Sequence, residues 1–231
     1  MLTVSGPTRW LRVEPRYGGP PGAGNGGWTC GLVAAALPAP PPVPEVTLHS
    51  PAPLHVPLAL RGGTSGAVLH TSGGRLVATV VPRGEDIPAV PPAPLDAADG
   101  WVARHGAHHL PTCFVCGPRR PDGLRIRPRR TPDGGIAATV VLPVDGVPAR
   151  LAVWAALDCP GGWTVIKAGR THLLGRLAVV VDRLPGAGDV CLVVGRAVRV
   201  EGRKALVRTT LYGADGAVAA RAEATWVSVG R

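Results

Sequence analysis

The hexapeptide CPGGWT, residues 159–164, nearly repeats GNGGWT, residues 24–29, at a spacing of 135 residues. Each copy opens an apolar run. After Thr29 comes CGLVAAAL (30–37), which is apolar on every side and reads as a helix ending before Pro38. After Thr164 comes VIKAGR (165–170), shorter and soon broken by glycine. Farther out, the first half continues through a Pro-rich loop (38–44), EVTLHS (45–50), a run through Leu60, and GAVLHTSGGRLVATVV (66–81). The second half continues through GRLAVVVDRLPGAGDVCLVVGRAVRV (175–200) and KALVRTTLYGADGAVAARAEATWVSV (204–229). Both close on apolar runs around a glycine turn, Gly73-Gly74 and Asp215-Gly216, the pattern of a β-hairpin. Each half therefore predicts strand, helix, then several antiparallel strands. A period above 100 residues means a duplicated domain and not a solenoid. The expected division is a first unit over 1–82, a Pro- and Ala-rich linker over 83–111, and a second unit over 112–231.

The composition suits this reading. Hydrophobic residues make up 45% of the chain, too many for general disorder. Only nine are aromatic, so alanine, valine and leucine must fill the core. The 32 glycines and 26 prolines fall between valine-rich runs, as turns of a β-rich protein do. A curved sheet can wrap one apolar helix and bury it. Two such units can pair edge to edge and cover their open strands.

The arrangement resembles the hotdog fold, and its duplication resembles the double-hotdog acyl-CoA thioesterases. Cys113-Phe-Val-Cys116-Gly117, followed by Gly123-Leu124, is similar to the lead-in of single-hotdog thioesterases of the phenylacetate-pathway type. The Gly-Gly pairs stand where that family writes His-Gly-Gly. The resemblance implies an α+β fold and a hydrolase of acyl-CoA or acyl carrier protein thioesters, with coenzyme A entering as part of the substrate. It also implies a possible homo-oligomer through the sheets. The superfamily includes non-catalytic members, so a protein that binds acyl thioesters or serves as an assembly partner is the alternative.

A Gly-Gly pair at a helix start lets a ligand approach unpartnered backbone N–H groups, where the helix dipole favours a developing oxyanion. Gly26, Gly27 and Trp28, with Gly161, Gly162 and Trp163, are the candidate substrate-binding residues. The same glycines could serve only a tight turn. Hydrolysis also needs a base. Asp158 lies in the apolar stretch VWAALDCPGG, where burial would raise its pKa. It could equally be an N-cap. Asn25 can bind a carbonyl or orient water. The double-hotdog pattern implies an Asp, a Ser or Thr, and a Gln on later strands. Arg176, Val198 and Glu223 fall there, which leaves Glu223 as a further carboxylate candidate.

Cys113 and Cys116 follow His105, His108 and His109. The pattern is no complete metal set. Cys113, Cys116 and His109 are its candidate zinc ligands, with Cys159 or a histidine needed from elsewhere in the fold. A redox pair and reduced, packed thiols are the other readings. Cys159, beside Pro160 at a helix start, would have a lowered pKa if exposed and could act as a nucleophile.

The net charge is +10, carried by arginine apart from Lys167 and Lys204. The densest run is RRPDGLRIRPRR (119–130). Alternate arginines, Arg125 and Arg127 foremost, would line one face of a strand. There they would form either a solvated edge or a clamp for the phosphates of coenzyme A or for an acidic carrier protein. No RNA-binding aromatic motif or zinc-finger spacing accompanies the charge, so nucleic acid is not expected. The N-terminus lacks an apolar signal core, and no run approaches the ~18–20 residues of a membrane span. A cytoplasmic protein with reduced cysteines is expected.

Overall fold

The computed structural model describes residues 8–37, 43–63, 65–95, 102, 108–142, 144–166 and 171–229. The first half contains β1 (Arg9–Leu11), α1 (Gly26–Ala35), β2 (Pro44–Leu48), β3 (Leu58–Gly63), β4 (Gly66–Thr71) and β5 (Leu76–Pro82). The second contains β6 (Arg129–Arg130), β7 (Ile136–Leu142), α2 (Ala149–Ala156), α3 (Cys159–Trp163), β8 (Thr171–Val181), β9 (Asp189–Glu201), β10 (Lys204–Tyr212) and β11 (Val218–Val229). Among the described residues eleven strands form one sheet in the order β1-β3-β4-β5-β2-β8-β11-β10-β9-β7-β6. Set β6 aside, and the same path occurs twice. In each half the first strand neighbours the third, the fourth and fifth follow, and the second closes the row. The halves meet where β2 pairs antiparallel with β8, Glu45 opposite Ala178 and Thr47 opposite Arg176. Each half thus covers one open edge of the other. The hairpin turns expected at Gly73-Gly74 and Asp215-Gly216 are present, with Gly74 and Gly216 at positive φ. Among the described residues no helix is long and apolar enough to cross a membrane.

The helices pack against one face of the sheet and against each other. Asn25 caps α1, its Oδ1 accepting from the Trp28 amide at 2.9 Å. Contact between α1 and α2 is close because α1 carries glycine there. A Cβ on Gly27 would lie 2.5 Å from Asp158 Cβ and 2.7 Å from the Trp154 carbonyl oxygen. A Cβ on Gly31 would lie 2.8 Å from Trp154 Cβ. Gly27→Ala is therefore expected to force the helices apart and destabilise the protein by roughly 1–3 kcal/mol, as overpacked cores do. Urea denaturation measures this, and an unchanged midpoint would mean that the helices are not held so tightly.

Three expectations need correction. The two GGWT segments are not equivalent. The first opens α1, whereas the second closes the helical segment formed by α2 and α3. Trp28 and Trp163 therefore do not sit at matching points, and the repeat that the fold obeys is one of strand order. The first part of the segment expected as a linker, residues 83–95, packs on the second half. Ile87 is fully buried, the Val90 amide donates to Thr210 Oγ1, and Tyr212 donates its hydroxyl to the Val90 carbonyl at 2.6 Å. His105 lies outside the described residues. The arginine run is not a strand up to Arg129: Arg125 adopts φ 56°, and only Arg129–Arg130 pair, with β7. The apolar stretch before Asp158 is a helix, α2, which no cap or period announced.

Candidate functional site

Asp158 stands at the bend between α2 and α3. It does not cap α3 with its side chain. Its Oδ2 instead reaches across to α1, accepting from the Gly27 amide at 2.8 Å and from Asn25 Nδ2 at 3.0 Å. Asn25 and Asp158, the candidates from the two halves, thus face each other across the helix junction. Asp158 is 1% exposed. Burial raises its carboxyl to about 7, against the pull of the Gly27 bond; the nearby Cys113 raises it further, and Asn25 opposes. Its other oxygen, Oδ1, is buried with no hydrogen-bond partner among the described residues.

Asp158 opens on a cavity of about 310 Å³. Asn25, Gly26 and His172 share the lining, and Leu48, Leu174 and Val227 supply apolar wall. A carboxyl with one anchored oxygen and one unpartnered, buried oxygen, bordering an apolar chamber at a helix N-terminus, is of the type that serves as a general base. His172 was not foreseen: it lies inside an otherwise ordinary strand, and only the sheet order brings it here.

The cavity also touches Cys113 and Cys159. The sulfurs of Cys113, Cys116 and Cys159 lie within 4.8 Å of one another, and all three residues are buried. Cys113 Sγ and Cys159 Sγ are 3.6 Å apart. Hydrogen bonds from Cys116 and Cys159 hold the Cys113 thiol well below its ordinary value. Cys159 is pushed up, first by the bonds it makes to Cys113 and Cys116 and then by burial. The condition for an activated thiol, exposure at the helix start, is not met. His109 is half-buried, its ring 5.6 Å from that of Trp163, and burial lowers its pKa.

The Gly27 amide is taken by Asp158 and the Trp28 amide by Asn25, so the proposed oxyanion donors at that helix start are already engaged. Trp28 stacks on Tyr17 with ring centroids 3.5 Å apart. Gly161 and Gly162 pack on β10 and β11, a Cβ on Gly162 falling 2.6 Å from the Trp226 ring. That pair and Trp163 do not line the cavity. Arg125 and Arg127 are exposed and border a depression of about 150 Å³ beside the Cys116 turn, with Arg120.

Glu223 is no base. It points away from the helices, and its carboxylate accepts from Arg83 Nη2 and Arg208 Nε, both at 2.8 Å. Burial alone would raise its pKa, but the two guanidinium groups hold it below the ordinary glutamate range. Its ionised form therefore favours the folded state at pH values above the unfolded pKa of about 4.3. That contribution is lost as pH falls through the lower folded value. Glu223→Gln is expected to lower stability by about 1–3 kcal/mol near neutrality. In denaturation series at several pH values the gap from wild type should close toward pH 3. A constant gap would contradict the ion-pair account.

No family model matches the sequence, and no curated protein matches it. Solved structures do match. A candidate thioesterase from Novosphingobium aromaticivorans superposes with a TM-score of 0.64 at 18% identity, covering 96% of both chains. A conserved hot dog fold protein from Alicyclobacillus acidocaldarius gives 0.62 at 16% identity, over 99% of this chain and 96% of that one. The dehydratase domain of PpsC from Mycobacterium tuberculosis, in complex with C12:1-CoA, gives 0.58 at 16% identity, over 99% and 98%. These likenesses establish the hotdog fold for this chain.

Proposed function

We propose that the chain is a double-hotdog acyl-thioester hydrolase, acting on acyl-CoA or on acyl groups held by a carrier protein, with Asp158 as its base. The observation that carries this reading is the buried Asp158 carboxyl at the cavity wall, anchored through Oδ2 and unpartnered at Oδ1. In the reaction, a water held by Asp158 attacks the thioester carbonyl carbon while its proton passes to the carboxylate. The carbon–sulfur bond then breaks, the proton goes to the departing thiolate, and a free acid and a thiol result. Gly26 lines the cavity at the start of α1, where the helix dipole favours negative charge on the carbonyl oxygen. The thioesterase among the structural neighbours, and the acyl-CoA bound to the PpsC domain, support the substrate class.

The second reading is an acyl-thioester binding protein without turnover. It is favoured by the engaged Gly27 amide, which leaves that donor unavailable to an oxyanion. A panel of acyl-CoAs of increasing chain length, assayed for thiol release, separates the two. The hydrolase releases thiol well above the rate without protein. The binder shows saturable binding and no release.

The arginines beside the Cys116 turn belong to this proposal as the phosphate contact. Arg125→Ala with Arg127→Ala is expected to weaken CoA binding roughly tenfold at low salt, a typical loss for charge-assisted bonds. The difference should shrink as salt screens the charges. Unchanged affinity at low ionic strength would assign the pair to the solvated surface.

A further inference from the structure

We propose that Cys113, Cys116 and Cys159 bind a zinc ion as three thiolate ligands, the fourth position being filled from the cavity side. The sulfurs converge from two remote parts of the chain, a tight turn at 113–117 and the start of α3, and lie within 4.8 Å of one another. Zinc binds thiolate at about 2.3 Å, so two ligands of a tetrahedral site stand about 3.8 Å apart. The Cys113–Cys159 separation of 3.6 Å is close to that edge. The turn is built tightly enough to aim both of its thiols. The Gly117 amide donates to the Cys113 carbonyl at 2.9 Å, and a Cβ on Gly117 would lie 2.4 Å from the Cys113 amide nitrogen.

The surroundings suit thiolates. Asn25 Nδ2 lies 3.8 Å from both Cys113 Sγ and Cys159 Sγ. The Trp163 side chain hydrogen-bonds Cys116, and the backbone of Val115 and Cys116 hydrogen-bonds Cys113. N–H donors around ligand sulfurs are the outer shell that metal thiolates use. A cation entering this cluster would displace the thiol protons and leave three buried thiolates that it neutralises, and soft sulfur ligands select zinc among common divalent ions. Cys113 and Cys159 also line the cavity, which gives a water access to the remaining position. Such an ion would tie the turn to α3 and so hold the backbone of Asp158, the neighbour of Cys159.

The test reads metal and needs no substrate, so its failure and that of the hydrolase reading are distinguishable. Protein purified under reducing conditions without chelator should contain about one zinc per chain by mass spectrometry of the metal, as expected for a single site. An organomercurial should release it in full. Cobalt(II) loaded in its place should show the intense sulfur-to-metal charge-transfer band of tetrahedral thiolate. Cys113→Ser and Cys116→Ser should lose most of the metal, and Cys191→Ser should retain it. If the serine variants do not fold, the wild-type content and the cobalt spectrum still decide. Wild-type protein that carries no zinc and takes up none when supplied would overturn the site. A Cys113–Cys159 disulfide in the protein as isolated would overturn it equally.

Discussion

Asp158→Asn is expected to lower acyl-CoA hydrolysis by roughly 10²–10⁴-fold, the usual contribution of a positioned general base. The substitution changes little else. The amide oxygen can take the place of Oδ2 and accept from the Gly27 amide and Asn25 Nδ2. The amide NH2 then replaces Oδ1, the oxygen without a partner. Size, burial and both anchoring bonds are preserved, and only the proton acceptor is lost. Melting temperature should stay level or rise, because the amide removes a charge from a site that is 1% exposed. A purely structural Asp158 would give the reverse, with turnover kept and stability lowered. Steady-state thiol release and thermal melting on the same preparation distinguish the two.

Phe114→Ala should produce the largest loss of stability, about 3–5 kcal/mol, as for buried aromatic truncations elsewhere. Phe114 is fully buried and is the only phenylalanine in the chain. Its ring meets Tyr17 edge-on at 5.0 Å and Trp28 at 5.5 Å, and its amide donates to the Gly18 carbonyl at 2.8 Å. It therefore ties the Cys113–Cys116 turn to the first half of the fold. In a core of alanine, valine and leucine no nearby side chain can expand to fill the space. Phe114→Leu should cost much less than Phe114→Ala, since most of the volume is kept. Equilibrium unfolding in urea gives both values. A cost below about 1 kcal/mol for the alanine variant would show that the three-ring cluster does not join the halves.

The strand pattern was legible because apolar alternation and glycine turns act locally. Gly73-Gly74 and Asp215-Gly216 predict their hairpins without knowledge of the rest. The repeated hexapeptide pointed to duplication for the wrong reason. Both Gly-Gly pairs serve close packing, Gly27 on α2 and Gly162 on Trp226, from opposite ends of their helical segments. Composition records that glycine is needed and not which neighbour needs it. Asp158 and Asn25 stood out in the sequence as candidates, each at its own helix. That they touch depends on how α1 meets α2, which no local signal encodes. Cys159 joins Cys113 and Cys116 for the same reason. Glu223 read as a carboxylate in an apolar strand, and its arginine partners come from β10 and from the segment after β5. His172 carried no signal at all.

The most direct test of the account is a crystal structure of the Asp158→Asn protein with a non-hydrolysable acyl-CoA thioether. The account predicts the acyl group in the cavity between Leu48, Leu174 and Val227, with the carbon that mimics the thioester carbonyl within reach of a water on residue 158. An acyl group bound elsewhere, or a cavity left empty at saturating ligand, would contradict it.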